Sequence, residues 1–157
     1  IRRRTSRAAI NMNTNASRPQ VLSRLFDAGL DSIRVSMNSA RGEYYTRYYR
    51  PRGYGFGDVI RSIKTAKAHK KFVSLNYLTL PGFTDSRDEF AAFIAFIGAC
   101  GVDMVQWRNL NYDPLRYFGI LKFSVSGKEL LGIRQIMEDL KRKFPDLKMG
   151  YYNPAKI

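Results

Sequence analysis

Four short apolar runs punctuate the chain, and each closes on amides and hydroxyls: INMNTN at 10–15, SIRVSMN at 32–38, FVSLNYLTLPG at 72–82 and VDMVQWRNLN at 102–111. The second alternates strictly. It sets Ile33, Val35 and Met37 on one face and Arg34, Ser36 and Asn38 on the other, the period-two signature of a strand. Between the runs lie segments of helical period. Val21, Leu22, Leu25, Phe26 and Leu30 follow i, i+3, i+4 spacing over 19–29, with Ser17 as the expected cap, Pro19 in the first turn and Gly29 at the stop. Val59, Ile60, Ile63 and Ala66 form the inward stripe of a helix over 56–70. Ser86 and Glu89 spell a capping box ahead of Phe90, Phe93, Ile94 and Ile97, which form the buried stripe of a helix ended at 98–101. Ser126 and Glu129 spell a second box ahead of Leu130, Ile133, Ile136, Met137, Leu140 and Phe144. Pro145 ends that last helix, and 147–152 supplies one more strand.

Strands alternating with amphipathic helices predict an α/β fold of parallel β/α units, a partial TIM barrel, in which the carboxyl ends of the strands build the ligand site. Asn13, Asn15, Ser36, Asn38, Asn76, Gln106 and Asn109 then converge on one rim. One Asn or Ser at a strand end is ordinary turn chemistry; the same chemistry in four successive units is a different observation. Amides and hydroxyls offer donors and acceptors without charge, which suits a ribose, an adenine edge or an amino-acid head group. They do not titrate, so no paired-carboxylate hydrolase is visible. The units start at irregular intervals, which excludes a solenoid repeat. Four or five parallel strands without closure leave raw edges. The expectation is one incomplete domain over 1–157, with 118–157 supplying the terminal helix and last strand.

The segment 40–58 (ARGEYYTRYYRPRGYGFGD) carries five Tyr and four Arg and reads as a long strand-to-helix loop. As a lid it would use Arg47, Arg50 or Arg52 to steer a carboxylate into the mouth. The other reading has its tyrosines stacking bases and its arginines gripping phosphates of single-stranded nucleic acid. Its glycines fit neither dinucleotide nor P-loop spacing, so they read as flexibility.

Composition narrows the chemistry. The 157 residues carry a net charge of +14, and residues 1–71 hold 16 Lys/Arg against 4 Asp/Glu. That fits an anionic partner or a solvated basic face. One cysteine and one histidine leave almost no material for zinc hydrolysis or nucleophilic catalysis. Cys100 reads as a small buried hydrophobe, and His69 as a helix-end cation. No apolar run reaches the roughly 18 residues of a membrane span, and no signal peptide opens the chain, so a cytoplasmic protein with no membrane is expected. The opening IRRRTSR reads as the tail of a basic helix, as if the sequence started inside a domain.

Five strings, NMNTNAS (11–17), DAGLDSIRVSMNSA (27–40), YYRP (48–51), FVSLNYLTLPGFTD (72–85) and GVDMVQWRNLNYDP (101–114), together resemble the later part of the radical S-adenosylmethionine (radical SAM) domain, over roughly 8–118. The resemblance implies a six-unit partial TIM barrel of which this chain is units three to six. It implies a 4Fe-4S cluster, held by a CxxxCxxC loop, that reduces SAM to methionine and a 5′-deoxyadenosyl radical. By position it implies that Ser36 and Asn38 touch ribose or carboxylate, that Asn76 is a fifth-strand polar contact, and that Gln106 and Asn109 lie near adenine. Asn13 and Asn15 would line the same cavity, and Arg108 would join the lid arginines on the substrate side. The chain departs from the family in lacking CxxxCxxC and the GGE-like segment. It is therefore expected to be the C-terminal part of a radical SAM enzyme, inactive alone, whose partners are the N-terminal part of the barrel and a small-molecule or peptide substrate. The alternatives are a basic nucleic-acid-binding module using 40–58, and a barrel remnant serving only as scaffold.

Overall fold

The structure, a computed structural model, describes residues 3–4, 8–127 and 129–153. The expected basic helix tail at 1–7 falls for the most part outside them. Five parallel strands lie in sequence order, β1 (Asn11–Thr14), β2 (Ser32–Met37), β3 (Phe72–Thr79), β4 (Met104–Asn109) and β5 (Lys148–Met149). The helices between them are α1 (Pro19–Asp27), α2 (Gly42–Tyr49), α3 (Phe56–Ala68), α4 (Arg87–Cys100), α5 (Pro114–Leu121) and α6 (Ile133–Lys143). A parallel sheet alternating with helices is the predicted architecture.

The alternation of β2 holds in three dimensions. Ile33, Val35 and Met37, with Val73, Leu75 and Tyr77 of β3 and Val105 of β4, are buried. All but Met37, at 1%, are fully inaccessible, and they join Leu22, Phe26, Ile63, Phe93, Ile136 and Leu140 from the helices in one core. Tyr77 stacks on Phe93 with ring centroids 3.9 Å apart. The opposite sheet face is polar, because the register aligns Asn13 with Arg34, Arg34 with Ser74, Ser36 with Asn76 and Asn76 with Gln106. A polar inner face marks a barrel whose interior serves a ligand rather than a packed plug.

Several local expectations are corrected. The segment 40–58 is not a loop throughout, since α2 occupies its first half. Tyr44 and Tyr45 anchor that helix in two different apolar clusters, Tyr45 in the main core and Tyr44 with Phe83, Tyr117, Leu121 and Phe123. Burial takes both rings away from any base-stacking role. α5 was not anticipated. It is a short helix with Pro114 in its first turn and the Asp113 side chain accepting from the Arg116 N–H at 3.1 Å. Arg18, not Ser17, is the N-cap of α1, because the Ser17 N–H is bonded to the Asn15 side chain instead.

Neither capping box closes. Ser86 caps α4 by position, yet its hydroxyl donates to the Phe83 carbonyl and Glu89 turns into the core. Glu129 pairs with Arg87, and α6 begins only after Gly132. Leu130 consequently lies outside the helix and is exposed. The last strand is two residues, Lys148–Met149, rather than six. Cys100 is buried in α4, as expected of a small hydrophobe. Among the described residues, no helix is long and apolar enough to cross a membrane.

Candidate functional site

The in-register row Ser36, Asn76 and Gln106 stands side by side across three strands near their carboxyl ends. Directly above it lies a cavity of about 310 Å³. Ser36 and Asn76 contribute from the row, and Leu78, Arg108 and Asn109 from the strand tips. Leu110, Asn111 and Tyr112 follow β4, and Tyr48 and Tyr49 come from the last turn of α2. The space falls within the range of small-ligand pockets. Neither a carboxylate nor a histidine lines it. It is therefore built to bind and orient, not to shuttle protons. Burial, reinforced by the neighbouring Tyr48 and Tyr54, pushes the Tyr49 phenol far up, so it stays protonated at neutral pH.

Asn76 is the residue that most needs a ligand. Its side-chain oxygen is shielded from solvent and has no hydrogen-bond partner. A shielded, unpaired acceptor costs on the order of 1–3 kcal/mol, which a bound N–H or O–H would recover.

The structure divides the predicted rim. Ser36, Asn76, Asn109 and Arg108 meet at the cavity. Asn38 does not line it. It is fully buried one residue beyond β2, with its amide donating to the Tyr44 carbonyl at 3.1 Å and the Tyr117 hydroxyl at 3.2 Å. It bolts α2 and α5 to the strand tip. Asn38→Ala should lower unfolding free energy by about 1–3 kcal/mol, the usual cost of orphaning buried partners. A lowered denaturation midpoint in urea checks this. Gln106, in register with Asn76, lines a second cavity beside the far edge of β4. Asn13 and Asn15 are exposed: Asn13, within β1, accepts from the Asn11 side chain at 3.4 Å, and Asn15 serves the turn after β1 by accepting from the Ser17 N–H at 3.2 Å.

The lid arginines are placed differently from expectation. Arg47 donates to the Leu121 carbonyl at 2.5 Å and lies over the Tyr44 ring, which ties it to α5. Arg50 and Arg52 are exposed and do not line the cavity. The aromatic contribution comes from Tyr48 and Tyr49 instead, whose rings meet edge to face at 4.9 Å. The tyrosine-rich segment singled out in the sequence thus lines the cavity through Tyr48 and Tyr49 and not through Arg47, Arg50 or Arg52. Asn111 closed the fourth polar run and was the available signal for the rim beyond β4.

Parallel β/α units with a polar inner face, and a cavity at the strand tips lined by amides and tyrosines, define a partial-barrel protein with its binding mouth where that fold class puts it. The sequence model of the radical SAM superfamily matches residues 1–94, and the chain belongs to that superfamily. In fold it is similar to a radical SAM methyltransferase from Sphaerobacter thermophilus, at 13% identity and a TM-score of 0.57, over 92% of this chain and 41% of that one. A glycoside hydrolase family 30 subfamily 8 xylanase from Clostridium acetobutylicum aligns over the same shares at 13% identity, with a TM-score of only 0.39. The chain thus spans about two fifths of the length of the structures it resembles. No curated protein matches it.

The superfamily implies SAM and a 4Fe-4S cluster, and the two fare differently against these residues. The cluster needs several thiolates, and this sequence has one cysteine. Cys100 lies in the core, where burial raises its thiol pKa. Among the described residues, no group of three or more His, Cys, Asp or Glu side chains is placed to hold a metal. The cluster does not fit this chain. SAM does fit the mouth: the cavity offers an unpaired Asn76 acceptor, hydroxyl and amide groups for a ribose, and tyrosine rings for a flat base.

Proposed function

We propose that the chain is the SAM-holding wall of a radical SAM enzyme. It would bind SAM and substrate across the strand tips for 5′-deoxyadenosyl-radical chemistry and be inactive alone. The observation that carries the reading is the cavity at the end of the Ser36–Asn76–Gln106 row, lined by Asn76, whose side-chain oxygen is shielded and has no partner. SAM, when bound, supplies the 5′-deoxyadenosyl group for hydrogen abstraction. Asn76 accepts from the nucleoside, Ser36 and Asn109 give further polar contacts, and Tyr48 and Tyr49 cover the base and exclude water. Arg108 is the one charged side chain lining this cavity and orients an anionic group of SAM or substrate.

The cluster ligands would come from polypeptide outside these 157 residues. The test joins the chain to a segment carrying a CxxxCxxC loop, reconstitutes it anaerobically with iron and sulfide, and measures 5′-deoxyadenosine. Cleavage by the longer protein and none by the chain alone is the expected pair of results. No cleavage by the longer protein sinks the reading.

A further inference from the structure

The second cavity adjoins the mouth and shares Arg108 with it. It measures about 390 Å³ and lies against the outer edge of β4, between Trp107, Met137 of α6, and Met149 and Gly150 at the end of β5. The sheet is left unfinished there. β5 pairs with β4 at only two positions, Met104 with Lys148 and Val105 with Met149, and a last bond runs from the Gly150 N–H to the Val105 carbonyl at 3.3 Å. The chain then turns off the edge and crosses the inner face. Arg34 there donates to the Tyr152 carbonyl at 3.0 Å and the Asn153 side chain at 2.7 Å. The turn is specific to glycine: a Cβ at position 150 would lie 3.0 Å from the Tyr152 ring.

Backbone groups of successive residues in a parallel strand face alternate sides. Val105 faces β5, and Leu110 faces β3 through its N–H to the Thr79 carbonyl at 3.1 Å. Trp107 and Asn109 therefore present their N–H and C=O groups to an edge that no further strand covers among the described residues. Two side-chain atoms, one on each face of β4 beside this edge, are also unsatisfied. The Gln106 carbonyl oxygen and the Trp107 indole N–H are shielded from solvent without partners, and Gln106 is 3% exposed. An unpaired strand edge is a template for another strand, and native sheets cover or charge such edges. Here one acceptor and one donor wait beside it, together with apolar Met137 and Met149.

We infer that this edge docks an extended segment of a separate polypeptide, which continues the β4 ladder where β5 stops. Main-chain bonding to Trp107 and Asn109 gives the affinity, and side chains of the peptide, which project to both faces, reach Gln106 and the indole. Arg108 fixes the sign of the partner. Among the described residues lining this cavity it is the only cation and there is no carboxylate, and its guanidinium lies over the Tyr151 ring. The docked segment therefore carries an acidic side chain opposite Arg108.

Trp107 is the only tryptophan in the chain and reports directly. The experiment titrates the full chain with a short fluorescein-labelled peptide alternating valine and glutamate, reading peptide anisotropy and indole emission. The expected result is saturable binding with a shift in Trp107 emission. Methylating alternate peptide amides should weaken binding about tenfold, as loss of main-chain bonds worth about 1 kcal/mol each requires. Replacing glutamate by lysine should weaken it similarly, and Arg108→Gln should erase that preference. Trp107→Phe, which removes the indole N–H together with its five-membered ring, should bind several-fold less tightly in the anisotropy readout. Three results overturn the inference. One is no saturable signal with either peptide. Another is equal binding of the methylated peptide. The third is a concentration-dependent dimer that excludes the peptide, which would make a second copy of this chain the occupant.

Discussion

Glu89→Ala is expected to destabilise the protein by about 3 kcal/mol or more, since each buried donor left unpaired costs on the order of 1–3 kcal/mol. Glu89 is 1% exposed, and its carboxylate accepts from the Tyr77 hydroxyl at 2.6 Å, the Ser39 hydroxyl at 2.9 Å and the Ala40 N–H at 3.0 Å. Alanine strips the acceptor from the buried Tyr77 and Ser39 hydroxyls and one of two acceptors from the Ala40 N–H, and leaves a void. The same carboxylate ties the chain leaving β2 to α4, which fixes where α2 starts and hence where Tyr48 and Tyr49 overhang the mouth. The variant should therefore also lose ligand affinity, and urea unfolding checks the stability half.

The pH behaviour of this residue separates charge from packing. Burial raises the Glu89 pKa, outweighing the three hydrogen bonds and Arg41, which all pull it down. The folded state thus binds the proton more tightly than the unfolded chain. Its contribution is complete below the ordinary glutamate range and declines as pH rises from there to the raised folded value. Glu89→Gln keeps the shape and cannot titrate. Stability of the parent relative to Glu89→Gln should fall as pH rises through that window, and an unchanged difference across it contradicts the assignment.

Asn76→Ala should do the reverse: weaken SAM binding about tenfold while leaving stability unchanged or slightly higher. The amide oxygen has no partner in the folded protein, so truncating it removes a desolvation cost rather than a bond. Its worth appears only when a ligand donor reaches it, at about 1–1.5 kcal/mol for a hydrogen bond of this kind. Calorimetric titration with SAM, read beside urea unfolding of the same variant, gives both numbers. A variant that unfolds early and still binds SAM normally would make Asn76 a structural residue like Asn38.

The strands and long helices were legible because their signals are local. Ile33, Val35 and Met37 alternate with polar residues, and the apolar stripe of α3 repeats at helical spacing within a few turns. What stayed hidden depends on partners distant in sequence. Asn38 looks like a rim residue until Tyr117, from a helix beyond β4, takes its amide. Glu89 satisfies a capping pattern, yet the Tyr77 hydroxyl and the Ser39–Ala40 turn draw it inward. α2 was concealed because tyrosines supply its anchors instead of the aliphatic residues that mark an amphipathic helix. The open edge of β4 was invisible for a related reason, since a strand's lack of a neighbour is written only in the topology.

The family and the parallel α/β architecture agree with the resemblance carried by the five strings, while the site is narrower than those strings implied. Four residues of the predicted set, Ser36, Asn76, Arg108 and Asn109, share the mouth cavity with two tyrosines in the place given to arginines. The most direct test is a titration of the isotopically labelled chain with SAM, followed by nuclear magnetic resonance of the asparagine side-chain amides and tyrosine rings. Shifts concentrated at Asn76, Asn109, Tyr48 and Tyr49, with Asn13 and Asn15 unmoved, are the predicted result. Saturable shifts that bypass Asn76, or none at all, would contradict it.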